Sequence, residues 1–180
     1  MTRLTQPLRD EHRELYTHVD EILALADELA DRPPEALLDR LARMASFLRH
    51  DLLRHAAAEE AALYPVVGQL MGAPEATATM SRDHREIEGL SGRLDRLVGQ
   101  LGIGRAEPAG AQRIGAQRID AQRILYGLHA LVSLHFAKEE EVYLPLLDER
   151  LTPEDAAGLF ANLEAAAHAA VSPGDLIPAM

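Results

Sequence analysis

Two segments of this chain carry the same short polar pattern. His55-Ala-Ala-Ala-Glu59-Glu60 is matched 80 residues later by His135-Phe-Ala-Lys-Glu139-Glu140, and each is followed by a proline ten residues after its histidine, Pro65 and Pro145. A second pair precedes them: Asp10-Glu11-His12-Arg13-Glu14-Leu15 and Arg82-Asp83-His84-Arg85-Glu86-Ile87, 72 residues apart. On a helix, residues four apart stack on one face, so each HxxxE presents an imidazole and a carboxylate together. That pairing is metal-binding chemistry. The chain has no Cys, which removes disulfides, thiol catalysis, iron–sulfur clusters and thiolate zinc sites. A ligand set of imidazole and carboxylate suits iron or manganese, with zinc behind them.

The neighbours of these residues say which way they point. His12 continues the apolar stripe of Leu8, Leu15 and Val19, and His84 lies with Met80, Ile87 and Leu94. His55 follows Leu48 and Leu52, His135 follows Leu128 and Leu131, and each precedes its glutamate on the same stripe. All four histidines therefore point into a core. Carboxylates buried there are costly unless paired or metal-bound, and no Lys or Arg occupies these stripes. A lone HxxxE would read as a core His–Glu hydrogen bond. Four inward histidines and two inward carboxylates, drawn from four helices, match the way bundles build a dinuclear site.

Pro and Gly mark the elements that must position this set. Helical periodicity runs from Leu8 to Ala30, from Glu35 to Leu63, from Glu75 to Leu101 and from Ala111 to Leu144. Pro65 kinks or ends the second helix and Pro145 stops the fourth. Pro108 closes the third loop. Thr152-Pro153-Glu154-Asp155 starts a short fifth helix, and the tail after Val171 reads as loose. The expected fold is all-α: an up-down-up-down four-helix bundle over residues 1–150, with a short extra C-terminal helix and tail over 151–180. AQRI occurs three times at a five-residue step between Ala111 and Ile124. That step turns a helix by roughly 140° net, so its isoleucines do not share a face. It reads as a local duplication that lengthens the third connection or the start of the fourth helix, and the eight-residue difference between the two repeat offsets falls where it sits.

Composition agrees and excludes. Ala and Leu supply 59 of 180 residues and aromatics only 4%, a helix-forming composition. Net charge is -11, which argues against nucleic acid and against anionic membrane surfaces. No apolar run reaches the length of a spanning helix. The N-terminal MTRLTQPLRDEHREL has no apolar signal core, so a cytoplasmic location is expected.

At these residues the sequence resembles the hemerythrin-like (HHE cation-binding) family. The family pattern is one His in the first helix, HxxxE in the second, one His in the third and HxxxE in the fourth. Its positions fall on His12, His55 with Glu59, His84, and His135 with Glu139, over residues 8–147. The glutamate after each HxxxE, Leu63-Tyr64-Pro65 and Tyr143-Leu144-Pro145 are similar as well. The resemblance implies a non-haem di-iron centre, bridged by the two HxxxE carboxylates and a solvent-derived oxygen. Manganese ranks behind iron as the metal, and zinc last. A ferritin-type ExxH order is absent from these helices.

The pattern also departs from the oxygen carriers of that family. They place a second His four residues after the third-helix one, where this chain has Glu88. Their fourth helix ends the motif with Asp one residue later than Glu139. Glu88 is therefore a ligand, an outer acceptor or a flank residue. A more anionic set favours the oxidised metal and leans away from reversible O2 carriage. Tyr16, one turn from His12, either reaches the site or packs near the bundle end. His18, His50, His129 and His168 fall off the inward stripes, and Glu60 and Glu140 read as solvated or at a helix edge.

The resulting expectation is a di-iron protein that binds or reacts with O2, peroxide or NO, with catalase-like peroxide decomposition within its range. The alternative is a non-enzymatic iron-binding or sensing module whose folding or partner contact depends on metal. No acid–base residue beyond the ligands is assignable from sequence, and no protein partner is indicated.

Overall fold

A computed structural model describes residues 3–104 and 111–170. The loop expected at Pro108 and the tail after Val171 lie outside the described residues. Helix α1 is Gln6–Glu28. A second rod, residues 38–71, consists of α2 (Leu38–Phe47), α3 (Leu53–Ala58) and α4 (Tyr64–Met71), joined by wider π turns at Leu48–Leu52 and Glu59–Leu63. Helix α5 (Ala78–Gly104) forms the third rod. The fourth consists of α6 (Ala111–Lys138), a π turn at Glu139–Tyr143, and α7 (Leu144–Arg150). Each rod packs on its neighbours in sequence, and the fourth closes back on the first. The fold is an up-down-up-down four-helix bundle with a short extra C-terminal helix, α8 (Pro153–Ala169).

The helices do not stop at Pro65 and Pro145. Proline lacks an N–H and crowds the carbonyl four residues back, which ordinarily breaks a helix. Here a π turn directly before each proline absorbs the defect. The Tyr64 N–H bonds to the Glu59 carbonyl, and the Leu144 N–H to the Glu139 carbonyl. Both glutamates of the HxxxE motifs thus open a π turn. The AQRI repeat forms the start of α6, where Ile114 is half-buried, Ile119 exposed and Ile124 buried.

Two apolar clusters fill the bundle. One gathers Leu15, Val19, Leu48, Leu52, Ile87, Leu94, Val132 and Phe136. The other gathers Leu8, Ala58, Ala62, Met80, Tyr143 and Leu144, closed by Leu159 and Leu163 of α8. On every rod the inward histidine falls where the stripe passes from one cluster to the other. The polar residues therefore form a layer between two dry cores. At the bundle end, Asp148 of α7 accepts hydrogen bonds from the Thr5 N–H (2.9 Å) and hydroxyl (3.0 Å), fixing the start of α1. Helix α8 begins with a capping box between Thr152 and Asp155 and packs on α3 and the Glu59–Leu63 turn. Among the described residues no helix is long and apolar enough to cross a membrane.

The second rod ends at Gly72, which holds φ 65 in the left-handed region. A side chain there costs about 1 kcal/mol. Gly72→Ala is expected to lower stability by about that amount in urea titrations, although open space surrounds the Cβ position. An unchanged midpoint would contradict this reading of the turn.

Candidate metal centre

The six residues singled out by spacing meet in one buried layer. His12 is 1% exposed, His55 6%, His84 7% and His135 1%, while Glu59 and Glu139 have no exposure. Glu59 Oε1 lies 3.1 Å from His55 Nε2 and 3.6 Å from His12 Nε2. Its other oxygen lies 3.4 Å from His84 Nε2 and 3.9 Å from His135 Nε2. Glu139 spans the same gap, with Oε2 3.6 Å from His12 Nε2 and Oε1 3.5 Å from His135 Nε2. Each carboxylate thus offers one oxygen to the His12–His55 side and one to the His84–His135 side. Two groups have metal-ligand spacing: His12, His55, Glu59 and Glu139, and Glu59, His84 and His135.

All four histidines turn Nε2 inward and Nδ1 outward, and each Nδ1 meets its own carboxylate. The His12 Nδ1–H donates to Glu140 Oε1 (3.0 Å) and that of His55 to Glu11 Oε1 (2.9 Å). The His84 Nδ1–H donates to Glu60 Oε1 (2.9 Å) and that of His135 to Asp83 Oδ2 (3.4 Å). An ionised carboxylate only accepts, so the proton sits on Nδ1 and a neutral ring points its Nε2 lone pair at the centre. These outer pairs run in a closed ring around the bundle. Glu11 of the first rod holds the histidine of the second, Glu60 of the second holds that of the third, Asp83 of the third holds that of the fourth, and Glu140 of the fourth holds that of the first. Sequence reasoning placed Glu60 and Glu140 among solvated or edge residues and gave Glu11 and Asp83 no role. The repeat held the signal, since an acid precedes both His12 and His84 and a second glutamate follows each HxxxE.

The inward atoms fit cations. His12 Nε2, His55 Nε2, both Glu59 oxygens and Glu139 Oε2 are buried without a hydrogen-bond partner. His84 Nε2 and His135 Nε2 stand 2.9 Å apart. With both Nδ1 protons committed outward, two lone pairs face each other there, an arrangement that needs a proton or a metal ion between them. Without metal, protons supply that charge. Burial works against protonated His55, but the Glu59 and Glu11 carboxylates overcome it and hold its pKa well above the ordinary imidazole value. Burial works against His135 too, yet Glu139 and Glu59 push it up to about 9. Glu59 is held well below the usual carboxylate range, because His55, His12 and His135 outweigh the effect of its burial.

Tyr64 is the inward residue that sequence reasoning gave no role. Its hydroxyl donates to Glu139 Oε1 (2.9 Å) and lies 3.3 Å from Nε2 of both His84 and His135. Its ring stacks on His84 with centroids 5.4 Å apart. Burial, and then the Glu59 and Glu139 charges, raise its pKa, so it stays a phenol. Five residues separate Tyr64 from Glu59. On an α-helix that is roughly 140° away; the π turn between them brings Tyr64 round to the site. Tyr16, by contrast, is half-buried and donates to the Ser133 carbonyl at 3.3 Å. Glu88 is exposed and belongs to neither ligand group. His18 stacks on Phe47 at the surface, His168 is exposed, and His50 and His129 are half-buried outside the cluster.

The family model described as the hemerythrin HHE cation-binding domain covers residues 3–147. No curated protein and no solved structure matches the chain.

Two outcomes follow from this geometry. Removing an outer carboxylate frees a ligand histidine to rotate, so Glu60→Ala is expected to weaken metal affinity roughly 10–100-fold. Calorimetric titration beside the exposed control Glu86→Ala checks this, and equal affinities would remove the outer ring from the account. In the metal-free protein, the raised His135 contributes stability that is complete below about pH 6.5 and lost as pH rises through about 9. The urea midpoint of the metal-free chain should therefore fall between pH 7 and 9.5 by more than that of His135→Gln; parallel pH profiles would contradict it.

Proposed function

The chain belongs to the hemerythrin HHE cation-binding domain family, and from that premise we propose that it is a non-haem di-iron protein that binds or reacts with O2 or a related small ligand, peroxide or NO. The observation that carries the reading is the pair of fully buried carboxylates, each directing one oxygen to either histidine pair. His12 and His55 would hold one ion, His84 and His135 the other, and Glu59 and Glu139 would be shared. Donors of nitrogen and oxygen alone suit iron or manganese, and the family supports iron, with manganese behind it and zinc last. Redox-active ions held there would supply electrons to a small oxidant and Lewis acidity.

The chain's own residues do the rest. The apolar clusters on either side keep the layer dry, which strengthens every charge interaction inside it. The outer carboxylates fix each imidazole in one tautomer and raise its basicity. The Tyr64 hydroxyl keeps its proton and places it 2.9 Å from Glu139, beside the His84–His135 pair. It is the one neutral donor aimed into the cluster among the described residues. Peroxide decomposition of the catalase type falls within this reading.

A second reading, an iron-binding or sensing module without turnover, draws on α8, which packs directly on the turn that starts at Glu59. Metal occupancy would then bear on the seating of α8, and through it on a partner. The experiment is to load the full chain with ferrous iron and follow O2 evolution from peroxide together with thermal melting. Turnover that is lost in His135→Ala along with the iron is the expected result. A metal-dependent rise in melting temperature without turnover, and without a spectral response to O2, peroxide or NO, would overturn the first reading in favour of the second.

A further inference from the structure

The two halves of the centre are related by the internal repeat, but they are not covered alike. At the His12 corner, Phe136 lies flat on the imidazole, 4.5 Å between centroids and 14° from parallel, and a hollow of about 460 Å³ outside it is crossed by the Arg9–Glu140 pair. At the His135 corner, Lys138 pairs with Asp83, and the histidine is 1% exposed. At the His55 corner, α8 roofs a hollow of about 320 Å³ with Phe160 and Leu163. At the His84 corner a hollow of about 540 Å³ reaches the imidazole itself. Leu53 and Ala56 form its floor, and the exposed Ala57, Glu60, Arg85 and Glu88 line its rim.

The repeat shows why this imidazole is less covered than that of His12. An offset of 80 relates His55 to His135, and the same offset relates Ala56 to Phe136. The aromatic ring stacked on His12 is a methyl group on the His84 side, and His84 is 7% exposed against 1% for His12. The rims differ as well. The hollow outside His12 carries Arg3, Arg9 and Arg13 beside Glu140, whereas the His84 rim carries two carboxylates and one guanidinium. A net negative rim over an apolar floor repels anions and admits small uncharged molecules.

We propose that small uncharged ligands reach the centre through the His84 corner, and that Ala56 is the residue that keeps this entrance open. The inference rests on the di-iron reading above and deepens it by naming the side of approach and the ligand class. Just inward of His84 stands the Tyr64 hydroxyl, 3.3 Å from its Nε2. A ligand arriving there meets a hydrogen-bond donor before it meets Glu139, and this occurs on one side of the centre only. The position equivalent to Tyr64 in the repeat is Leu144. Glu88, which stands where the oxygen carriers have a histidine, acts here as part of the rim and sets its charge.

The test is Ala56→Phe, which copies the residue found at the equivalent position, beside Ala167→Phe, which fills the rival hollow under α8. On the ferrous-loaded chain, stopped-flow NO binding should slow about tenfold or more in Ala56→Phe at unchanged iron content and keep its rate in Ala167→Phe. Glu88→Lys should speed azide binding relative to NO. The metal-free chain gives a readout independent of loading. Dissolved O2 should relax the His84 ring protons more than those of His12, and Ala56→Phe should abolish that difference. An unchanged NO rate in Ala56→Phe, or a slowed one in Ala167→Phe, would overturn the entrance. A chain that takes up no iron would end the di-iron reading instead, and the O2 relaxation contrast would then decide the entrance alone.

Discussion

The whole molecule is organised around two carboxylates with no contact to water. An ionised carboxylate in an apolar core is strongly unfavourable unless opposite charge surrounds it. Glu59 and Glu139 sit between two clusters of buried aliphatic side chains. Among the described residues, the only groups within ion-pair distance of them that can carry positive charge are four imidazoles, which are weak and conditional bases. With their Nδ1 protons directed outward, those imidazoles become further donors of electron density toward the same point. The layer therefore calls for positive charge that the chain does not itself supply, except by taking up protons on His55 and His135. Protons and metal ions compete for the same atoms, which couples metal uptake to pH and to folding.

The ring of outer carboxylates turns four separate helices into one object. No rod holds its own histidine. Each imidazole is oriented by the neighbouring rod, so the ligand geometry and the packing of the bundle are the same constraint. Arg9 and Lys138 then partner two of these carboxylates from outside, and the Ser81 hydroxyl donates to a third at 2.8 Å. Outside the imidazoles lie four carboxylates, and outside two of these lie cations. The two halves share this plan through the internal repeat, but their inward residues differ at many positions. Beside the centre, Ala56 against Phe136 and Tyr64 against Leu144 give it two unlike sides.

Much of this was legible in the sequence, and the boundary of what was legible has a physical cause. Helical periodicity and the i, i+4 stacking of His with Glu located the inward six, because both depend on local geometry alone. The bundle topology followed from Pro and Gly punctuation. The path through Pro65 and Pro145 did not, because the local rule for proline says stop and the π turn that overrides it has no distinct sequence signature. Tyr64 stayed hidden for the same reason, since its inward position exists only through that turn. The roles of Glu11, Glu60, Asp83 and Glu140 depend on which rods are neighbours, which is tertiary information. Their repetition was visible, yet an acid beside a histidine on a helix edge is equally a solvated flank until the partner rod is in place.

The most direct measurement is the number of metal atoms bound per chain, by elemental analysis of protein purified without chelator and titrated with ferrous iron. On the proposed reading, two shared carboxylates and two histidine pairs hold two ions per chain. They also require that His84→Ala, which empties one side, leaves at most one. That result would establish the central claim that the buried layer is a dinuclear centre. A stoichiometry near zero in iron-replete preparations would contradict it, and the six inward residues would then be a proton-sharing hydrogen-bonded core.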